Sequence, residues 1–166
     1  MTKSLSLIQT NLYDKLNYNI FELITEKESQ EYEACSFKLD NKNIICRNSK
    51  ITPKKIGQFV TFWKRNKDGI TEPFFETDIF DYYVINVQSE NKVGQFVFPK
   101  SVLIEKGIIS TSKKEGKRGF RVYPIWDKTI NKQAVLTQQW QLNYFFEIND
   151  DLDLSFVKKL YQIKKY

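Results

Sequence analysis

The sequence contains no histidine, and this absence excludes several large classes of enzyme. Ser-His-Asp triads, Cys-His nucleophile pairs and HExxH metalloproteases all need an imidazole as a base or as a metal ligand. A histidine-ligated catalytic zinc is excluded for the same reason. Chemistry that uses carboxylates, lysine, tyrosine or a Mg²⁺ ion remains open to this chain.

Cysteine is also scarce, with only Cys35 and Cys46 present. Two cysteines without histidine do not make a zinc site. They flank a turn-like stretch at residues 40–43, so a hairpin would bring them near each other across two strands. For a cytosolic protein we predict two buried thiols that pack as small hydrophobic side chains.

Long hydrophobic runs are missing as well. No apolar run approaches the length of a membrane span, and polar residues near Met1 interrupt any signal-peptide core. We therefore expect a cytoplasmic protein without a membrane partner. Neither GxGxxG nor GxxxxGK[ST] occurs, so no nucleotide-phosphate loop of known type is present.

The chain has 166 residues, of which 41% are hydrophobic and 28% charged, and this composition fits one globular domain over residues 1–166. Leu5, Ile8, Leu12 and Leu16 recur at helical spacing and predict an N-terminal helix. The acidic segment at residues 19–33 is predicted to continue helically.

A block of strands follows these helices. Segments rich in β-branched and aromatic residues predict strands at 35–39, 44–47, 57–64, 82–87, 93–98 and 119–125. Helices are predicted at 99–106, ending at Gly107, at 131–146, and after Asp153 near the C-terminus. This segregated order is typical of an α+β domain with a mainly antiparallel or mixed sheet flanked by N- and C-terminal helices.

The tetrapeptide Gly-Gln-Phe-Val occurs twice, at residues 57–60 and 94–97. The flanking residues differ, so we interpret the two copies as similar strand starts rather than as a duplication. Phe59, Phe96 and Phe98 are the predicted core residues of these strands.

The net charge of +6 is unevenly distributed. The first basic block spans residues 50–67 and contains six basic residues and no acid: Lys50, Lys54, Lys55, Lys64, Arg65 and Lys67. Residues 68–90 then contain six acids and no base. The second basic block spans residues 113–121 and contains Lys113, Lys114, Lys117, Arg118 and Arg121 beside the single acid Glu115.

Basic loops of this kind can follow a phosphate backbone, and the alternative is a solvated lysine-rich surface. Aromatic residues among the basic ones favour nucleic acid as the partner, because bases stack on such rings. We expect DNA rather than RNA. The predicted nucleic-acid-binding residues are Lys50, Lys54, Lys55, Gln58, Arg65, Lys113, Lys114, Lys117, Arg118 and Arg121, with Trp63 and Trp126 as the stacking rings.

A catalytic site is harder to find. Three (D/E)xK triplets, at residues 40–42, 90–92 and 115–117, are no more than chance provides and fall in predicted turns. Glu76, Asp78 and Asp81 are better candidates, because they enter a strand and could share a Mg²⁺ ion with each other or with Glu33. The alternative is that Asp78 and Asp81 pair with basic side chains or cap a turn. We therefore predict no resident metal or cofactor, and Mg²⁺ only if the chain is a nuclease.

Several sequence blocks, in the same order, resemble the MepB family of small bacterial proteins, which are encoded beside a multidrug efflux system. The blocks are residues 50–65 (KITPKKIGQFVTFWKR), 73–82, 94–108 (GQFVFP onward), 119–124 (GFRVYP) and 132–141. The resemblance is strongest over residues 33–145. The matched polar positions form a candidate surface: Lys50, Thr52, Lys54, Lys55, Gln58, Arg121, Lys132, Gln133, Gln138 and Gln141.

The resemblance implies a cytoplasmic protein that binds nucleic acid, with a nuclease-like core of the restriction-endonuclease kind, and it supplies no catalytic residues. Three hypotheses follow. The first is nucleic-acid binding through the basic blocks, the second an active or degenerate Mg²⁺-dependent nuclease, and the third a module that binds a small ligand or nucleotide in an aromatic pocket. The oligomeric state stays open.

Overall fold

The structure is a computed structural model that describes residues 1–165. The helices are α1 (Lys3–Ile8), continued by a π-helical turn (Gln9–Tyr13), α2 (Lys100–Glu105), α3 (Lys132–Gln141) and α4 (Leu154–Tyr161). The strands are β1 (Ile20–Thr25), β2 (Cys35–Leu39), β3 (Lys42–Asn48), β4 (Lys50–Ile51), β5 (Gln58–Thr61), β6 (Trp63–Arg65), β7 (Thr71–Pro73), β8 (Tyr82–Ser89), β9 (Lys92–Pro99), β10 (Gly119–Val122) and β11 (Phe145–Glu147).

A six-stranded sheet with the order β1-β2-β3-β8-β9-β11 forms the centre of the molecule. Its neighbouring strands are antiparallel except β3 and β8, which are parallel. A three-stranded sheet, β10-β5-β4, and the β6-β7 pair lie in the connections outside it. The predicted α+β fold with a mixed sheet and helices at both ends is therefore confirmed. None of the helices described within residues 1–165 has both the length and the hydropathy needed to span a membrane.

Two hydrophobic clusters cover the two faces of the central sheet. Along β8 the buried side chains alternate, so Val84 joins one cluster while Tyr83 and Ile85 join the other. The first cluster packs the sheet against α1, the π-helical turn and α4. The second packs it against the three-stranded sheet, α2 and α3. The molecule thus has three layers, with the long strands β8 and β9 buried between the outer two.

Residues 19–33 do not form the predicted helix. They contain the edge strand β1 and a 3₁₀ turn (Gln30–Tyr32), because β1 pairs along β2 with a bulge between Phe21 and Ile24. The glutamates favour a helix locally, and the gain from pairing with a buried neighbour strand outweighs that preference.

Three other boundaries also differ from the prediction, and one of them is the strand predicted at 119–125, which ends at Val122. The helix predicted at 131–146 ends at Gln141, because Phe145 and Phe146 enter β11 and bury their rings on opposite faces of the sheet. The strand predicted at 57–64 is divided between β5 and β6, which belong to different sheets. Phe59 is half-buried rather than in the core, whereas Phe96 and Phe98 are fully buried as predicted.

The remaining local predictions are confirmed. The side chain of Asn131 accepts from the backbone N–H of Ala134, and Asp153 caps α4 in the same way. Cys35 lies directly opposite Cys46 in the β2–β3 hairpin, and both thiols are free and buried. The Cys35 thiol and burial together raise the pKa of Cys46, which keeps the Cys46 thiol protonated.

Candidate nucleic-acid interface

Strand pairing brings the two basic blocks together. β10 lies antiparallel to β5, with Gly119 opposite Thr61 and Arg121 opposite Phe59. The backbone N–H of Phe62 donates to the carbonyl of Arg118 at 2.8 Å, which extends the contact beyond the strands. Two segments that are far apart in the sequence therefore form one continuous surface region.

Arg121 fixes the loop at residues 52–57 onto β10. Its Nη2 donates to Thr52 Oγ1 at 2.7 Å and to the carbonyl of Gly57 at 3.0 Å, and its Nε donates to the carbonyl of Ile56 at 3.1 Å. Gly57 has a φ of +84°, and a Cβ there would collide with the ring of Tyr123 at 2.6 Å. Only glycine fits this close, left-handed position. Arg121 is thus an anchor as well as a surface cation.

Beside this anchor, an open groove of about 780 Å³ runs between β10 and α3. Its lining includes three cations (Lys106, Lys117 and Arg121) and three aromatic rings (Phe120, Tyr123 and Trp140). Within the described part of the chain, no acidic residue lines it. Such a groove offers positive charge and stacking surfaces to the same ligand.

The outer wall of the groove is held by two glutamines of α3. Gln141 is fully buried, and its amide accepts from the N–H of Tyr123 at 2.8 Å and donates to the carbonyl of Arg121 at 2.9 Å. Gln138 donates to the carbonyls of Pro124 and Asp127, both at 2.9 Å. These amides bind backbone, so Gln138 and Gln141 shape the groove and do not offer their side chains to a ligand.

Several of the predicted basic residues are paired with acids. The partners are Glu31 for Lys50, Asp78 and Glu72 for Lys64, Glu28 for Arg65, and Glu115 for Arg118. The Arg65 guanidinium, hydrogen-bonded to Glu28, lowers the pKa of that carboxyl. These pairs partly neutralise the end of the first block that carries Lys64 and Arg65.

The other basic residues keep their charge available. Among residues 1–165, no carboxylate lies within 4.0 Å of the amino nitrogens of Lys54, Lys55, Lys113, Lys114 or Lys117. Lys106 also has no such partner there, and its amino group lies 5.3 Å from the ring centroid of Trp140. Available positive charge is therefore present in the groove, at Lys106 and Lys117, and on the anchored loop, at Lys54 and Lys55, whereas Lys113 and Lys114 line a separate depression beside β7.

Gln58 does not lie on the surface, contrary to prediction. It is 1% exposed, and its amide accepts from Ser49 Oγ at 2.6 Å and donates to the carbonyl of Gln88 at 3.2 Å. The alternating pattern of β5 could have shown this, because Gln58 shares a face with the buried Val60.

The predicted stacking rings lie outside the groove. Trp126 is half-buried, and its ring meets Phe145 edge-on with centroids 5.7 Å apart. Trp63 is half-buried beneath the Arg65 guanidinium. Trp140 was missed as a surface ring. The signal was available in α3, where Gln133, Leu136, Thr137 and Trp140 have the spacing of one helical face and all line the groove.

The acidic candidates have structural roles. Asp78 Oδ1 accepts from Lys64 Nζ at 2.6 Å and its Oδ2 from the N–H of Phe75 at 2.7 Å. Asp81 accepts from the N–H of Asn43 at 2.7 Å. Glu76 is exposed, and in the part of the chain that the structure describes no three Cys, Asp or Glu side chains converge to hold a metal ion. Asp78 therefore pairs with a basic side chain, and both Asp78 and Asp81 accept hydrogen bonds from backbone N–H groups, as in the alternative to a metal site.

The anchoring role of Arg121 can be tested by proteolysis. In Arg121→Met we expect tryptic cleavage after Lys54 and Lys55 to accelerate about tenfold, because the loop loses its hydrogen bonds to a charged donor and opens more often. Mass spectrometry of timed digests measures the rate at those bonds. Arg118→Met is the matched control, since Arg118 binds Thr71 and Glu115 instead of the loop. Equal rates in the two variants would contradict the role.

Comparison with known proteins gives one family. The model of the MepB-like family matches residues 26–147. A solved structure, described as the crystal structure of MepB, is 37% identical to this chain and has a TM-score of 0.79, with 91% of this chain and 100% of that chain covered. The bacterial homing endonuclease I-Ssp6803I has a TM-score of 0.44 at 14% identity, covering 86% of this chain and 93% of its own. That likeness is too low to carry an argument, so the nuclease-like core stays a prediction. No curated protein shows significant sequence similarity to this chain.

Proposed function

The chain belongs to the MepB-like family, and we propose that it binds nucleic acid in the β10–α3 groove and on the anchored loop beside it. The observation that carries this proposal is the lining of the groove, which combines three cations and three aromatic rings without an acid among the described residues. The proposed ligand is DNA rather than RNA. A cytoplasmic location and a link to the multidrug response belong to the same proposal and rest on the family resemblance.

Charge supplies most of the affinity in this proposal. Lys106 and Lys117 in the groove, with Lys54 and Lys55 on the loop, contact phosphates and release condensed counterions. Arg121 contributes by holding the loop at a fixed distance from the groove, so the two sets of lysines act on the same strand. Phosphate contacts of this kind position the ligand without reading its sequence.

Stacking favours single strands. The rings of Phe120, Tyr123 and Trp140 line the groove, and an unpaired base can lie against any of them. Gln133, Gln139 and Asn143 lie in the same lining, and their amides can hydrogen-bond the Watson–Crick edges of bases that are unpaired. Cleavage of the nucleic acid is not part of the proposal. The Asp78 carboxylate already accepts hydrogen bonds from Lys64 and a backbone N–H, and the Asp81 carboxylate accepts one from a backbone N–H.

The proposal predicts salt-sensitive binding that depends on the groove. Fluorescence anisotropy with labelled single- and double-stranded DNA, and with RNA of the same sequence, gives the Kd at several salt concentrations. We expect the double variant Lys106→Glu/Lys117→Glu to weaken binding by at least about tenfold and to reduce the salt slope by about two, since two phosphate contacts are lost.

The matched control is Lys158→Glu/Lys164→Glu, which makes the same change of net charge at exposed positions in and after α4, on the other side of the sheet. It should leave the Kd at physiological salt within about twofold, because its charges lie on the α4 side of the sheet, opposite the groove, and salt screens them. Equal losses of affinity in the two double variants would mean that binding depends on net charge and not on the groove. Absence of binding at low salt, or binding that ignores salt, would overturn the proposal.

A further inference from the structure

A second concave site lies away from the groove. A cavity of about 340 Å³ is enclosed by the N-terminal helix, the ends of β3 and β8, the start of β9 and the segment after β11. It shares no lining residue with the β10–α3 groove. Its volume is at the small end of the range for ligand pockets and suits one small molecule rather than a strand of nucleic acid.

The cavity lies where the parallel strands of the central sheet end. Asn48 and Asn86 are register partners near the carboxyl ends of β3 and β8, and both line the cavity. Ligands of sheets with parallel strands bind outside the carboxyl ends of those strands, where the backbone diverges and side chains can converge. The position is therefore one at which the fold itself opens a site.

The polar floor of the cavity is fixed before any ligand arrives. Asn86 is 6% exposed, accepts from Gln95 Nε2 at 2.9 Å and donates to Asn48 Oδ1 at 3.3 Å. Asn48 Nδ2 in turn donates to Ser4 Oγ at 2.7 Å. Asn48 Oδ1 keeps a second lone pair and the Ser4 hydroxyl keeps its hydrogen, so the floor offers an acceptor beside a donor. A floor held in this way costs little ordering entropy on binding.

The walls and rim add complementary chemistry. Leu7, Ile8 and Val87 supply apolar surface, and Leu7 is 53% exposed although it faces a cavity. The rim carries Lys15 and Asp150, both exposed. The adjacent donor and acceptor of the floor match the edge of a nucleobase, and the aliphatic walls match its faces. The Asp150 carboxylate can bind ribose hydroxyls, and the Lys15 ammonium group can bind a phosphate.

We propose that this cavity binds a free nucleoside monophosphate, with its base on the Asn48–Asn86 floor, its ribose near Asp150 and its phosphate near Lys15. The site is separate from the groove and does not depend on the groove binding nucleic acid. It gives the chain a second ligand, of the size of a single nucleotide.

The test is calorimetric titration of the full chain with AMP, GMP, CMP and UMP, with the nucleosides, and with ribose 5-phosphate. At least one monophosphate should bind with a stoichiometry of one, and ribose 5-phosphate should bind at least about tenfold more weakly, since it lacks the base contacts. Lys15→Glu should weaken the monophosphate about tenfold and leave its nucleoside nearly unchanged.

Lys3→Glu is the matched control, because Lys3 is exposed at the start of α1, in the same N-terminal segment as Lys15, and does not line the cavity. It should bind the monophosphate as the parent does. The groove variant Lys106→Glu/Lys117→Glu should also keep this binding while it loses DNA. The proposal is overturned if none of the four monophosphates binds at millimolar concentration, or if Lys15→Glu binds as tightly as Lys3→Glu. It is also overturned if the groove variant alone loses the nucleotide, since the ligand would then occupy the groove.

Discussion

Replacing Gln95 with leucine is expected to lower the free energy of unfolding by about 3 kcal/mol, because buried polar groups lose their partners. Gln95 is fully buried in β9. Its Oε1 accepts from the hydroxyl of Tyr161 at 2.6 Å, and its Nε2 donates to Asn86 Oδ1 at 2.9 Å and to the hydroxyl of Tyr13 at 3.3 Å. Leucine has a similar volume and cannot make any of these hydrogen bonds. The Tyr161 hydroxyl and Asn86 Oδ1 would then stay buried without their hydrogen bonds to residue 95.

Urea unfolding measures this loss. The matched control is Gln139→Leu, the same chemical change at an exposed position, which should shift stability by no more than about 0.5 kcal/mol. Tyr161→Phe removes the hydroxyl that donates to Gln95 and that keeps only the Tyr13 hydroxyl, at 2.8 Å, in Gln95→Leu, so the double variant should lose less than the sum of the single losses. Strict additivity, or a loss in Gln95→Leu no larger than in Gln139→Leu, would show that this network contributes little.

The second large effect is a steep loss of stability in alkali. Tyr13, Tyr83 and Tyr161 are fully buried, and burial raises the pKa of each phenol above its ordinary value near 10. The folded protein therefore retains the protons of these three phenols, and that of the Cys46 thiol, at pH values where the unfolded chain releases them. Stability is unaffected below the unfolded pKa and falls above it, by about 1.4 kcal/mol per pH unit for each phenol. We expect the protein to unfold above about pH 10, where the phenols of the unfolded chain ionise.

The urea midpoint of unfolding, measured at pH values from 8 upward, reports the loss of stability. Tyrosinate absorbance at the same pH values reports the ionisation of the phenols. Tyr161→Phe should reduce the slope above pH 10 by about 1.4 kcal/mol per pH unit, since one buried phenol is gone. The absorbance of the buried phenolates should rise only as the protein unfolds. A slope that is the same in the variant and the parent would contradict the assignment, as would full ionisation while the protein is still folded.

The local parts of the fold could be predicted from the sequence because their causes are local. Asn131 and Asp153 cap helices with their own side chains, and the alternation around Cys35 and Cys46 is that of a hairpin. Residues 20–25 were assigned together with the acidic segment 19–33, whose glutamates favour a helix, whereas their strand is stabilised by pairing with β2. The same holds for Phe145, which belongs to a strand only because β9 lies beside it.

The candidate site was only half predictable. The two basic blocks are visible in the sequence, whereas the pairing of β5 with β10 that joins them is a contact between distant segments. Gln58 was mistaken for a surface residue because glutamine is usually exposed, and its buried position depends on Ser49 and Gln88 as partners. Asp78 and Asp81 precede a predicted strand and therefore suggested a metal site. The ion pair between Asp78 and Lys64 is visible only in the structure.

The joining of the basic blocks also has a consequence for how the protein folds. The β2–β3 and β8–β9 hairpins connect neighbouring segments and can form early, whereas β5 and β10 are separated by the whole β8–β9–α2 region. Closing so long a loop costs entropy before its contacts compensate for it, so such pairings form late. The proposed nucleic-acid face is then assembled last, so a nascent or partly folded chain would not yet have it.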